Sequence, residues 1–128
     1  DWHMLKVFYR PDRLQCVPDT VLDVAEIQQE MGWCDDPDHA DYNKLIQLPH
    51  PAHHERLWRE DHIYDIVVQL DHNTAPIQSG AGSAIFMHVA KSDYSPTEGC
   101  IALNQNDLLE LLRNCNGDTV IHVPKPTV

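Results

Sequence analysis

Short apolar runs rich in β-branched and aromatic residues recur along the chain, and turn residues separate them. Such runs are typical of buried strands. No regular alternation of strands with helical stretches accompanies them, which disfavours a parallel α/β fold. The first run ends at the turn signal Arg10-Pro11-Asp12. The predicted strands are residues 3–9, 63–70, 84–90, 99–103 and 119–123.

Only one stretch has the periodicity of an amphipathic helix, and it lies in the C-terminal half. Asn104 or Asn106 can cap its start, and Asn116-Gly117 marks its end. We therefore predict a mainly β fold, a β-sandwich or barrel with one α-helix packed on it. The apolar stripe of the helix consists of Leu108, Leu109, Leu111 and Leu112.

Three segments between the first two strands have weaker patterns. Residues 20–31 suit either a short helix or an irregular strand, and residues 53–60 suit one helical turn. Residues 32–54 are polar and turn-rich, which predicts a long loop. Because long loops in small domains are usually functional, we expect this one to serve or surround a site.

The length and composition indicate a single domain over residues 1–128. With 42% apolar and 23% charged residues, the chain resembles an ordinary soluble globular protein, and no apolar stretch is long enough for membrane insertion. The formal net charge of −11 disfavours nucleic acid and anionic lipid as partners, because both carry negative charge. We attribute that charge to solubility.

The four cysteines, Cys16, Cys34, Cys100 and Cys115, contain no CxxC pair. They could form two disulfides in an oxidising compartment, or remain mostly free thiols of which one is reactive. The chain begins at Asp1 rather than Met, so we expect that a leader, a propeptide or a first strand has been removed.

Cys100 and His88 carry the strongest indication of chemistry. A lone cysteine in a strand is usually a small buried hydrophobe. Here Gly99 frees the backbone ahead of the sulfur, so that amide groups can converge on an oxyanion, and Thr97 and Glu98 make the approach polar. If the strands that carry His88 and Cys100 are neighbours, the imidazole can activate the thiol as a nucleophile.

These motifs resemble the catalytic segment of the L,D-transpeptidase family, the YkuD-type domain. The order of strand, histidine, S/T-x-G-C-[IV] and helix is similar to that segment, and upstream blocks are similar to a compact branch of the family. The resemblance covers roughly residues 5–123. The matching blocks are GWCDDPDHADYNK, HHERLWREDHIYDIVV, HN before the glycine-rich turn, GSAIFMHVA, SPTEGCIAL and NDLLELL.

The resemblance implies a β-sandwich of the L,D-transpeptidase catalytic-domain type and acyl transfer on peptidoglycan stem peptides, without a cofactor. It assigns the nucleophile to Cys100, the base to His88 and part of the oxyanion hole to Gly99. Family domains also have strands ahead of the first run, which supports the expectation that this chain lacks its natural start. A bacterial protein is implied, in the periplasm or cell envelope or in the cytoplasm.

The implied reaction forms a thioester on Cys100 as D-alanine leaves. An amine acceptor then gives a cross-link, which is transpeptidation, and water gives trimming, which is L,D-carboxypeptidase activity. The chain departs from common family residues at Val89, Glu98 and Ala102, and its connection between His88 and Cys100 is short. The residues leave the two outcomes open.

Five residues are candidate substrate contacts. His54 and Glu55 match a block of the branch and would either line the substrate groove or lock the loop. Trp33, Trp58 and Tyr64 are each more typical of a core than of a ligand contact, although we keep Tyr64 as a candidate. The predicted substrate contacts are His54, Glu55, Tyr64, Asn73 and Thr97.

Two other classes of function compete with the cysteine enzyme. The histidine-rich loop could hold zinc for a hydrolase or a structural site, although HPAHHE is not the HExxH motif. A catalytically silent domain that binds cell-wall peptide is the other alternative. The possible zinc ligands are His50, His53 and His54 with Cys34, Asp35 and Asp36, and we predict no metal in the active site.

Overall fold

The computed structural model describes residues 2–74, 76–80, 83, 85–91 and 101–122. Within these residues the fold is mainly β with one helix in the C-terminal half, which confirms the predicted class. The strands are β1 (Trp2–Tyr9), β2 (Asp23–Glu26), β3 (Met31–Cys34), β4 (Leu45–Gln47), β5 (His54–Arg56), β6 (Ile66–Leu70), β7 (Phe86–Val89), β8 (Ile101–Leu103) and β9 (Val120–Ile121), and the helix is α1 (Gln105–Asn114).

In the described part of the chain, six strands form the larger sheet, in the order β2-β1-β6-β7-β8, with β9 paired to the start of β1. β1 runs parallel to β2 and antiparallel to β6 and β9. β7 is antiparallel to β6 and parallel to β8. The register of β7 and β8 sets Met87 opposite Ile101 and His88 opposite Ala102.

Helix α1 covers one face of the larger sheet. Leu108 and Leu112 of the helix are fully buried there. Asn104 caps the helix, since its Oδ1 accepts a hydrogen bond from the Asp107 amide at 2.9 Å, which confirms one of the two predicted caps. Val7, Ile66, Val68, Leu70, Met87 and Val89 are the main sheet residues of this core.

A second, three-stranded antiparallel sheet (β4-β3-β5, the small sheet) supplies residues to the opposite face. Successive side chains on a strand point to opposite sides, so Phe8, Val67 and Phe86 lie on the face away from α1. Trp33 of the small sheet packs against them. Ile27, Leu57 and Tyr64 complete this second core.

The weakly patterned segments fold differently from several expectations. Residues 20–31 contain strand β2, as one of the two alternatives had it. The predicted long loop at 32–54 contains most of the small sheet, and the helical turn predicted at 53–60 is wrong. Residues His54–Arg56 are instead extended, because β3 offers them a backbone partner that local sequence does not reveal.

The described residues contain no helix long and apolar enough to cross a membrane.

Among the described residues, Cys16, Cys34 and Cys115 are free thiols. Cys16 is exposed, Cys34 is buried and Cys115 lies between these extremes. Two disulfides would need all four cysteines of the chain, so the finding agrees with the alternative of mostly free thiols.

Candidate active site

His88 occupies the middle of the larger sheet, on β7. Its Cα partners are Val67 of β6 and Ala102 of β8. Because His88 is two residues from Phe86 on the same strand, it faces the core that includes the small sheet rather than helix α1. Only 3% of its surface is exposed. A buried histidine in this position needs a hydrogen-bond partner, and it has one.

The imidazole of His88 donates from Nδ1 to the carbonyl oxygen of Val89, at 2.9 Å. Since a carbonyl can only accept, this bond places the proton of the neutral ring on Nδ1 and leaves the Nε2 lone pair available. Burial lowers the pKa of His88 below its ordinary value of 6.5, against the opposite effect of the Val89 bond. His88 is therefore a neutral ring with a basic Nε2 near pH 7.

Among the described residues, three charged side chains lie close enough to His88 to act on its protonation. The positive charges of Arg59 and Lys91 lower the pKa of His88, while the negative charge of Asp61 raises it. Arg59 and Asp61 are joined by two hydrogen bonds of 2.9 and 2.6 Å. Sequence reasoning did not identify these residues, because no local pattern indicates that their segment folds back onto β7.

Tyr64 lies between His88 and the small sheet. Its ring meets the imidazole edge to face, with the centroids 5.5 Å apart and the planes at 67°. Its hydroxyl donates to Oε1 of Glu55 on β5, at 3.2 Å. With 4% of its surface exposed, Tyr64 has the core position that its type favours. Its contact with substrate stays a prediction.

A surface cleft of about 540 Å³ adjoins this cluster. Two of the predicted substrate contacts, His54 and Glu55, line it. His54 is held by a hydrogen bond from its Nδ1 to the carbonyl of Ala52, at 2.9 Å. The other lining residues are Arg56, Trp58, Arg59, Glu60 and Asp61, so the cleft carries charges of both signs.

Two arginines of the segment after β1 fix the wall of this cleft. Arg10 is 3% exposed, stacks on Trp58 at 3.6 Å from the ring centroid, and donates to the carbonyl of Arg59 at 2.7 Å. Arg13 donates to the carbonyl of Glu60 at 2.8 Å and to Oδ1 of Asp65 at 2.8 Å.

The same segment, at Ile63, is bound to β7: the Val89 amide donates to the carbonyl of Ile63 at 3.0 Å. The segment that carries Arg59, Asp61 and Tyr64 is thus tied to both β1 and β7.

Asn73, another predicted substrate contact, closes a turn. Its Oδ1 accepts from the Gln78 amide at 2.8 Å, and its Nδ2 donates to the Gln78 carbonyl at 2.9 Å. Buried Asn43 reaches this turn from the small sheet and donates to the Asn73 carbonyl at 2.8 Å. Asn43 also accepts from Nε1 of Trp33 at 3.0 Å. The small sheet therefore supports both Tyr64 and the turn at Asn73.

The remaining predicted site residues, Cys100, Gly99 and Thr97, lie outside the described residues. Ile101, the residue after Cys100, begins β8 opposite Met87. The condition that the predicted strands 84–90 and 99–103 are neighbours is met over their described residues, because β7 pairs with β8.

The predicted zinc ligands do not converge. Cys34 is fully buried, and His53 is instead bound through Nδ1 to Oδ1 of Asp35 at 2.5 Å. Within the described part of the chain, one group of three metal-ligand types does come together, at His39, Asp41 and His50.

In that group, Nδ1 of His39 accepts from the Asp41 amide at 3.0 Å, and Nδ1 of His50 accepts from the Ala52 amide at 3.1 Å. In both neutral rings the proton therefore sits on Nε2, and His50 donates it to Asp41 at 3.0 Å. A metal bound at Nε2 would require that proton on Nδ1, which faces an amide hydrogen. The group is a hydrogen-bonded cluster of the loop.

The chain matches the family model of the L,D-transpeptidase catalytic domain over residues 3–123. Comparisons with curated proteins and with solved structures find no significant match.

Proposed function

The chain belongs to the L,D-transpeptidase catalytic-domain family, and we propose that it acts on peptidoglycan stem peptides through a covalent thioester on Cys100. The family gives the general activity, L,D-transpeptidase-type catalysis on peptidoglycan. The observation that carries the finer assignment is the state of His88. It is a buried, neutral imidazole with its Nδ1 proton committed to Val89, beside the strand that follows Cys100.

The strand register supports the pairing of base and nucleophile. Ala102 stands opposite His88, and Cys100 precedes Ala102 by two residues in the sequence. In-register residues of neighbouring strands share a face, as do residues two apart on one strand. We propose that the Cys100 thiol therefore lies on the His88 side of the sheet, within reach of Nε2.

The proposed reaction begins with transfer of the Cys100 proton to Nε2 of His88. The thiolate attacks the carbonyl of the bond between the third residue of the stem and D-alanine, and amides near Gly99 and Cys100 stabilise the oxyanion. When the C–N bond breaks, His88 returns the proton to the amine of the departing D-alanine. His88 then deprotonates either an amine or water, which attacks the thioester and releases Cys100.

The substrate is proposed to reach this centre along the cleft beside Tyr64. His54 and Glu55 line the cleft, and its two cations and three acidic side chains suit a stem peptide that carries both carboxylates and amines. The proposed substrate contacts are His54, Glu55, Asn73 and Thr97.

Product analysis tests this proposal. A stem tetrapeptide is incubated with the protein and with Cys100→Ala, each with and without an acceptor stem, and the products are read by mass spectrometry. Release of D-alanine by the parent alone, without a new cross-link, identifies an L,D-carboxypeptidase, and a cross-linked product identifies a transpeptidase.

Alkylation separates the enzyme from a catalytically silent binding domain. A His88-activated Cys100 should react with iodoacetamide much faster than Cys16, an exposed free thiol that serves as an internal reference. Equal alkylation rates together with an intact stem peptide would favour the binding domain.

A further inference from the structure

We propose that Tyr64 is a positioning residue for His88, held in place by Glu55 of the small sheet. This inference rests on the proposed function, in which His88 is the base. It assigns Tyr64 a role on the imidazole rather than on the substrate. It also gives the small sheet a part in catalysis, since β5 supplies the anchor.

The packing around Tyr64 leaves its ring little freedom. The ring is 4% exposed and meets Phe86 at 6.0 Å and His88 at 5.5 Å between centroids, both edge to face. The guanidinium of Arg59 lies 5.3 Å from the Tyr64 centroid. The hydroxyl bond to Glu55 fixes the far end of the side chain. Tyr64 is therefore restrained along its length before it touches His88.

His88 needs such a neighbour. The hydrogen bond to the carbonyl of Val89 fixes the proton on Nδ1 of His88. That single bond, to the adjacent residue of the same strand, does not fix the tilt of the imidazole ring. The tilt therefore depends on the side chains packed against the ring. General-base transfer requires Nε2 to lie within hydrogen-bond reach of the thiol, and small misplacements are costly. The Tyr64 ring blocks rotation of the imidazole toward the small sheet.

The anchor itself is built into that sheet. Glu55 pairs with Trp33 across β5 and β3, and Trp33 contacts Phe86 at 5.1 Å between centroids. The backbone and the aromatic cluster thus hold Glu55 at a set distance from β7. Loss of either the Tyr64 hydroxyl or the Glu55 carboxylate should release the same restraint.

A second tyrosine provides a matched control. Tyr9 is also buried, and both burial and the nearby carboxylate of Glu26 raise the pKa of its hydroxyl. Tyr9 follows Phe8 on β1, and Phe8 packs in the same core as Tyr64, so Tyr9 points to the opposite face of the sheet from His88. Tyr9→Phe removes the same chemical group, a buried tyrosine hydroxyl, and leaves Tyr64, Glu55 and His88 unchanged.

The experiment combines kinetics with NMR of the His88 ring. For Tyr64→Phe, we expect kcat for D-alanine release to fall about tenfold with KM nearly unchanged, because the loss concerns the geometry of the base. Glu55→Ala should show the same fall in kcat together with a rise in KM, because Glu55 is also a proposed substrate contact. The kcat of the double variant should fall no further than that of either single variant, because both substitutions remove the same restraint. Imidazole ¹⁵N shifts of His88 should move in these variants and not in Tyr9→Phe.

Several results would overturn the inference. A rise in KM with unchanged kcat in Tyr64→Phe would make Tyr64 a substrate contact, and an unchanged kcat in Glu55→Ala would leave Glu55 no part in positioning the base. Unchanged His88 shifts in Tyr64→Phe, or losses equal to those of Tyr9→Phe, would reduce Tyr64 to a core residue. The NMR measurement needs no substrate, so it decides the positioning role even if the parent protein fails to cleave the stem peptide and the proposed function is lost.

Discussion

His88 and Ala102 stand directly opposite each other on two neighbouring parallel strands. This pairing is the structural basis for assigning His88 as the base of Cys100, because Cys100 precedes Ala102 by two residues in the sequence. Ala102 shares the His88 side of the sheet, and our proposal places the Cys100 thiol on that side because residues two apart on a strand share a face. The same face carries Tyr64 and the small sheet, which leaves α1 on the other side as support.

The protonation of His88 gives the first prediction. Burial lowers its pKa below 6.5, and the reaction needs the neutral ring, so kcat/KM should be maintained as pH falls to 6.5 and be lost only below that value. NMR titration of the imidazole protons should give the same midpoint. His53 is an internal comparison, because its bond to Asp35 raises its pKa above 6.5. Titration of His88 above His53 would contradict the assignment.

A second prediction concerns Lys91, whose positive charge lowers the pKa of His88. Lys91→Gln should raise that pKa and move the acid limb of kcat/KM to higher pH. Because Lys91 is exposed, the difference between parent and variant should shrink at high salt. Lys44→Gln, a lysine of the small-sheet segment, should leave the His88 titration unchanged. A downward shift in Lys91→Gln would show the opposite sign of coupling.

A third prediction concerns Arg10, which ties Trp58 and the Arg59 carbonyl to the end of β1. Arg10→Met keeps much of the stacking volume but removes the donors, and should lower the free energy of unfolding by about 2–3 kcal/mol, as for lost hydrogen bonds to a charged group. Urea unfolding measures this change. Arg113→Met, on the exposed end of α1, should change stability by less than about 0.5 kcal/mol. Equal losses would remove the special role of Arg10.

The fourth prediction separates two functions of Asn43, which is buried, has a φ of 57°, and bonds both Trp33 and Asn73. Asn43→Ala loses the hydrogen bonds, and it places alanine in the left-handed region of backbone conformation, which alanine disfavours. We therefore expect the free energy of unfolding to fall by about 2–4 kcal/mol, which urea unfolding measures. Asn43→Gly loses the same bonds without the backbone strain, and should be the more stable of the two. A more stable Asn43→Ala would show that the backbone angle costs nothing.

Much of the larger sheet could be predicted because the sequences of its strands are themselves typical of buried strands. The runs that became β1, β6 and β7 are apolar and β-branched, and Asn104 is a strong helix cap. The small sheet was missed because β5 reads His54-Glu55-Arg56, which is polar and becomes a strand only when β3 lies beside it. Strand pairing of this kind depends on contacts distant in sequence.

In the candidate site, too, some residues could be predicted from the sequence and others could not. His88 could be chosen from its place at the end of an apolar run near a Gly-Cys pair. Its neighbours could not, since Arg59, Asp61 and Lys91 approach it only through the fold. The role of the Val89 carbonyl was also hidden, because a backbone group leaves no signature in the choice of side chain.

The most direct test of the account is intact-protein mass spectrometry after rapid mixing with a stem tetrapeptide, followed by peptide mapping at low pH to preserve a thioester. We predict a mass gain equal to the mass of the stem tetrapeptide minus that of free D-alanine, located on Cys100 and absent from Cys100→Ala. An adduct on Cys16, Cys34 or Cys115, or turnover by Cys100→Ala, would contradict it.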